Sequence, residues 1–245
     1  MDFKLEVIAF NPDCCINIQE AGAQRIELCS NPAEGGTTPS HGMISVARKN
    51  VSIHLFPIIR PRGGDFLYNA TEFKVMMKDV EFCLHTGCDG VVIGMLNADG
   101  TVDKKRCKSL IEIAYPMSVT FHRAFDRTSD PFQALEDIID IGCERILTSG
   151  LQPTAIEGIH DIEKIIKQAD ERIIIMPGSG IRSENIVQIA ETTKAIEFHT
   201  SARKFAAGKM EYVNKNLKEE LTVNADVQEI RNMVNLLTQV NETGG

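Results

Sequence analysis

The stretch Ser118-Val119-Thr120-Phe121-His122-Arg123-Ala124-Phe125-Asp126 begins as a β-strand, with β-branched and aromatic residues in alternation. It ends in His, Arg and Asp, which a strand alone does not require. Successive strand side chains point to opposite faces. Val119 and Phe121 therefore share one face, and Thr120 and His122 the other. The same split recurs along the chain. Leu5, Val7 and Ala9 oppose Glu6 and Ile8; Ile26 and Leu28 oppose Glu27 and Cys29. Leu55, Pro57 and Ile59 oppose His54, Phe56, Ile58 and Arg60; Ile196 and Phe198 oppose Glu197 and His199. In a closed barrel one face meets the helices and is apolar, and the other looks at the axis. The parity aims Glu6, Glu27, Cys29, Arg60, Thr120, His122, Glu197 and His199 inward.

Working outward, residues 4–9, 25–29, 52–60, 90–94, 118–122, 145–148, 172–176 and 196–199 read as strands. Helical patterns follow at 12–23, 42–49, 71–86, 103–114, 130–141, 158–169, 183–192 and 226–240. Asn11 is placed to cap the first helix and Pro12 suits its first turn. Strands alternate with helices and no linker or shift of composition divides them. The expectation is an α/β chain whose 245 residues form one domain, a (β/α)8 TIM barrel. An open doubly wound sheet would carry a Gly-rich fingerprint after the first strand, and Asn11-Pro12-Asp13 is not one. Residues 203–224 read as a polar, irregular loop, either a lid or a subunit contact, and the last five residues as frayed. The apolar stripe of the last helix either closes the barrel or joins a second copy in a homo-oligomer.

A net charge of −8 argues against a nucleic-acid module or a polybasic membrane binder. No run of apolar residues is long enough to span a bilayer, and the first residues do not form a secretory signal, so a cytoplasmic protein is expected. Seven Cys without a C-x-x-C pair argue against a disulfide framework.

Barrel chemistry sits at the C-terminal ends of the strands. His122 and His199 are placed there as general acid–base groups or metal ligands, with Asp126, Glu27, Glu6 and Glu197 as carboxylate partners. Arg60 serves an anionic ligand or pairs with Glu27. The alternative for the whole set is an ion-pair network, such as Glu27 with Arg60, that only holds the barrel. Gly178-Ser179-Gly180, with Thr200 and Ser201 one strand later, lies where many barrels hold phosphate, and Ser149 ends the strand before. Cu(I) prefers thiolate and imidazole, so Cys29 with His122 or His199 is the candidate copper set. The carboxylates and His residues also suit a divalent ion. No Lys ends an inner strand face, which argues against a Schiff-base aldolase, and no Gly-x-Ser-x-Gly elbow occurs.

Six ordered segments carry a resemblance. They are Gly22-Ala23-Gln24-Arg25-Ile26-Glu27-Leu28-Cys29, Glu34-Gly35-Gly36-Thr37-Thr38-Pro39-Ser40 and Ile59-Arg60-Pro61-Arg62-Gly63-Gly64-Asp65-Phe66. Thr120-Phe121-His122-Arg123-Ala124-Phe125-Asp126, Arg145-Ile146-Leu147-Thr148-Ser149-Gly150 and Glu197-Phe198-His199-Thr200-Ser201 complete the set. The pattern resembles the CutC family, known as copper homeostasis proteins, over residues 4–203. The resemblance implies a TIM barrel, copper handling and Cu(I) binding. Beside it stands the reading from the residues, an enzyme acting on a small anionic or phosphorylated metabolite at the C-terminal rim. Met176-Pro177-Gly178-Ser179-Gly180 departs from the family pattern, with Pro and Ser where a more Gly-rich turn is expected, and this bears on the geometry of that loop.

Overall fold

Eight parallel strands surround one axis in the computed structural model, which describes residues 3–214, 216 and 221–243. They are β1 (Lys4–Ala9), β2 (Arg25–Leu28), β3 (His54–Pro57), β4 (Gly90–Ile93), β5 (Ser118–Phe121), β6 (Arg145–Thr148), β7 (Ile174–Pro177) and β8 (Glu197–Thr200). Hydrogen-bonded ladders run β3-β2-β1-β8 and β4-β5-β6-β7. A parallel bridge between Ile58 and Val92 joins β3 to β4. β7 and β8 approach at Gly178, where a Cβ would lie 3.2 Å from the Cβ of His199. Sequential neighbours all round the axis make this the expected α/β arrangement of a TIM barrel. Cys29, Arg60 and His122 lie beyond the strand ends, on the turns that follow.

Helices α1 (Pro12–Glu20), α2 (His41–Asn50), α3 (Ala70–Thr86), α4 (Lys104–Ala114), α5 (Pro131–Ile141), α6 (Ile159–Ala169), α7 (Ile186–Thr193) and α8 (Val227–Thr243) follow the strands. Their starts are chemical. Asn11 accepts the Cys14 N–H at 2.7 Å, and Asn69 with Glu72 forms a capping box on α3. Among the described residues, no helix is long and apolar enough to cross a membrane.

The parity argument holds in the packing. Leu5, Val7, Ala9, Ile26, Leu28, Leu55, Ile59, Val119, Phe121 and Phe198 belong to the core between strands and helices. Cys29, Phe56, Ile58 and Val92 form a separate cluster inside the barrel. Ile196 departs from the reading: it precedes β8 and is exposed.

Below the rim the interior is ionic. Register sets Glu6 level with Arg25 on one side and His199 on the other. Arg25 Nε donates to Glu6 at 2.5 Å, and its Nη2 donates to Glu197. Arg145 Nε reaches the same Glu197 at 3.1 Å. The Phe56 ring lies against both cations, 5.2 Å from Arg25 and 5.4 Å from Arg145. A Cβ on residue 90 would stand 2.4 Å from that ring, so Gly90 makes its place.

Arg25 and Arg145 were not among the inward residues expected from sequence. The Arg60–Glu27 pair offered under the ion-pair alternative is not among the ion pairs of the described residues. Arg60 instead donates to the carbonyls of Glu34 (2.6 Å), Gly36 (2.7 Å) and Gly64 (3.0 Å), tying together the loops after β2 and β3.

A second correction concerns residues 203–224. Strands β9 (Arg203–Ala206) and β10 (Thr222–Ala225) pair antiparallel and give that segment a ribbon base. Residues 215 and 217–220 of the segment lie outside the described residues, as do 244–245 of the expected frayed end. The last helix runs past the expected residue 240 to Thr243.

Arg25→Met leaves Glu6 and Glu197 buried without their main counter-ion. Breaking a buried pair on one side costs about 3–5 kcal/mol. Urea unfolding of this variant is expected to show a loss of that size. A change below about 1 kcal/mol, the scale of an exposed ion pair, would show that the network does not hold the barrel.

Candidate functional site

A cavity of about 900 Å³ opens at the C-terminal ends of the strands. Glu27, Arg60, Phe66, His122, Ser179 and His199 are among the residues lining it. Of the residues expected to face inward, Glu27, Arg60, His122 and His199 line it, from the ends of β2, β3, β5 and β8, while Glu6, Cys29, Thr120 and Glu197 do not.

One side is acid–base in character. His199 Nδ1 lies 2.7 Å from Glu6 and its Nε2 lies 3.8 Å from Glu27. Burial alone would raise the Glu6 pKa, yet Arg25 and His199 hold it down at about 2. Burial pulls His199 down, but its hydrogen bond to Glu6 and the charges of Glu27 and Glu6 outweigh that and raise it overall. Glu27 has no Arg hydrogen bond of the kind that Glu6 has. Burial, opposed by His199 and assisted by the Glu6 charge, pushes its carboxyl up to about 7.

The other side is made of donors. His122 Nδ1 accepts the N–H of Ala124 at 3.1 Å. Burial first, and then the Arg60 charge, holds the His122 pKa down at about 3, so the ring is neutral at neutral pH. With Nδ1 occupied as an acceptor, the ring proton sits on Nε2. That atom is buried with no partner among the described residues, and so is Arg60 Nε. Gly94 gives the ring its space: a Cβ there would lie 2.4 Å from it.

Several sequence candidates stand apart from the cavity. Asp126 accepts from the Thr148 hydroxyl at 2.5 Å and the Ser149 N–H at 3.1 Å, and pairs with Arg123 at 2.7 Å. Its oxygens fasten the loop after β6. Ser149 is consumed there, donating to the Gln152 carbonyl at 2.5 Å. The Thr200 hydroxyl donates to the Ile181 carbonyl at 2.8 Å. Glu197 lies below, in the ionic layer. Ser179, Gly180 and Ser201 do line the cavity, and Gly178 lies against His199. Arg203, in a segment whose polar sequence carries no site motif, lines it as well, as does Phe66, whose ring centre is 4.9 Å from that of His122.

The donor set fits copper poorly. Cys29 is fully buried, packed under Gly36, and is not part of the cavity lining. Burial, and then the charge and hydrogen bond of Glu27, push its thiol well above the usual range, away from the thiolate that Cu(I) prefers. His122 Nε2 carries a proton and His199 is turned to carboxylates. Among the described residues, no group of three or more His, Cys, Asp and Glu is placed to hold a metal ion.

The model of the CutC family matches residues 3–204. A CutC family protein of Chromobacterium violaceum is 52% identical over 212 residues, 86% of each chain. The human copper homeostasis protein cutC homolog is 46% identical over 215 residues, covering 88% of this chain and 79% of its own. The crystal structure of a CutC protein from Streptococcus agalactiae superposes with a TM-score of 0.78 at 32% identity, over 81% of this chain and 98% of that one.

Neutral, buried His122 makes a prediction about acid stability. Its folded pKa of about 3 lies below the ordinary 6.5, so the unfolded chain binds the extra proton first. Stability falls as pH drops from about 6.5 toward 3, by about 1.4 kcal/mol per pH unit from this group. His122→Gln, which does not titrate, is expected to flatten the acid limb of a stability–pH curve. An unchanged slope would assign the acid sensitivity elsewhere.

Proposed function

The chain belongs to the CutC family, and from that premise we propose that it is an enzyme acting on a small organic anion at the C-terminal rim of its barrel. One observation carries the reading: Glu27 is a buried carboxyl, pushed up to about 7, on the wall of the rim cavity. A carboxyl near neutrality exchanges its proton at working pH, which is what general acid–base chemistry needs. Barrel enzymes place such groups at this end.

Each neighbour has a part. Glu6, ionised and fixed by Arg25, orients His199 through its Nδ1. His199 then presents Nε2 toward Glu27, and its charge eases the return of Glu27 to the carboxylate. Arg60, Arg123, Arg127 and Arg203 give the lining a cationic share that favours an anion. Gly178, Ser179, Gly180 and Ser201 are the segment where a phosphate group of the substrate would rest. Phe205, Met210 and Tyr212 are exposed along the segment that begins at Arg203, which supports a role for it as a lid or as a contact with a second copy. A cytoplasmic location suits a metabolite-handling barrel.

A copper role is the second reading. It rests on the human relative, which is named a copper homeostasis protein homolog. In this chain it would call on Cys29, Glu27 and His199, with the thiol giving up its proton as the metal binds.

Two measurements separate the readings. Thermal-shift screening against carboxylate and phosphorylated metabolites is expected to find stabilising anions. Turnover of a hit should rise with pH through about 7 as Glu27 ionises, and Glu27→Gln should lower kcat by about 10²-fold or more while leaving binding. Full turnover in Glu27→Gln, or no stabilisation by any anion, would sink the enzyme reading. Competition for Cu(I) against a chelator, lost in Cys29→Ala, would establish the copper reading.

A further inference from the structure

Two side chains with orphaned donors pack against one aromatic ring. Arg60 Nε and His122 Nε2 are both buried without a partner among the described residues. Their parent side chains are 6% and 4% exposed, so neither is a surface group waiting for water. A buried donor left unpaired costs about 1–3 kcal/mol, so two of them on side chains that line one cavity call for a reason. The Phe66 ring supplies the geometry. Its centre is 5.2 Å from the Arg60 guanidinium carbon and 4.9 Å from the His122 ring centre, and Phe66 lines the cavity.

Building on the small-anion reading above, we propose that Arg60 Nε–H and His122 Nε2–H form a two-donor subsite for the carboxylate of the substrate, covered by the Phe66 ring until the ligand enters. The charge fits one carboxylate. Nη1 is filled by the Glu34 and Gly36 carbonyls and Nη2 donates once, to Gly64, so the guanidinium keeps Nε–H, one Nη2 hydrogen and a single positive charge for a ligand. His122 adds a donor without adding charge, because its Nδ1 is held as an acceptor by Ala124. A phosphate dianion would find half of its charge unmatched here; a carboxylate is matched in charge and in its two oxygens. Uncovering needs only a side-chain rotation. The Phe66 carbonyl is anchored by the Leu96 N–H at 3.0 Å, and the ring borders the open cavity, into which that rotation would carry it. In this arrangement His122 is a fixed donor, and neither a base nor a metal ligand.

Nitrogen-15 NMR of His-labelled full-length protein at pH 7 tests this with glycolate, pyruvate and inorganic phosphate as probes. His122 is expected as the Nε2–H tautomer, and glycolate and pyruvate should move that N–H signal while phosphate leaves it in place. Phe66→Ala should bind the two carboxylates several-fold more tightly. His122→Gln, which keeps a donor, should stay within about threefold of the parent, and His122→Phe should lose about tenfold, the scale of one such hydrogen bond. A protonated or Nδ1–H ring, or carboxylate binding that leaves the His122 signal unmoved, overturns the subsite. That failure is separable from failure of the small-anion reading, since turnover that depends on Glu27 would survive it, whereas absence of anion binding anywhere would remove both.

Discussion

Charge inside a barrel has to be matched, and the rest of this structure depends on how far the matching goes. Glu6 and Glu197 meet Arg25, and Glu197 meets Arg145 as well. That lower layer is saturated, pinned by strand register and braced by Phe56. The layer above it is not. Glu27 has the Cys29 thiol and His199 at 3.8 Å but no guanidinium, and the Arg60 and His122 nitrogens have donors to spare. Saturation below and deficit above divide the interior into a part that holds the fold and a part with capacity left for chemistry. The high pKa of Glu27 follows from that division: burial raises it, and His199 offsets this only in part because no guanidinium bonds the carboxylate.

Much of this was legible in the sequence because β-structure writes its faces in alternation. Leu5, Val7 and Ala9 against Glu6, or Val119 and Phe121 against His122, need no tertiary information to be sorted. The convergence of Glu27, His122 and His199 on one rim follows from the same parity plus barrel closure. What parity cannot say is which inward charges find each other. Arg25 shares a face with Glu27 only two residues away, yet it pairs sideways with Glu6 on the neighbouring strand and Glu197 on the one beyond. Arg60, three residues past its strand, folds back onto loop carbonyls. Asp126 looked catalytic in a motif rich in His and Arg, but its oxygens are taken by the backbone and hydroxyls after β6. Long-range hydrogen bonding settles such cases, and no local pattern encodes it.

The family name and the cavity speak to different chemistry. Soft-metal binding wants exposed thiolate and free imidazole nitrogen. Here the thiol nearest the cavity is sealed beneath Gly36, and the two imidazoles are engaged by carboxylates or by a backbone N–H. Hard, directional groups dominate: carboxyl, guanidinium, imidazole N–H. That inventory is one for recognising oxygen atoms.

Arg60 carries one consequence beyond recognition. A single guanidinium fastens the carbonyls of residues 34 and 36 to that of residue 64 while holding one edge toward the cavity. Loop order and ligand occupancy are therefore not independent variables. Anything that draws the guanidinium tighter into the cavity also damps the two loops that frame its mouth, and anything that frees those loops weakens the grip. In evolutionary terms this removes a degree of freedom: the loops cannot drift in length or composition to suit a new ligand unless residue 60 is rebuilt at the same time.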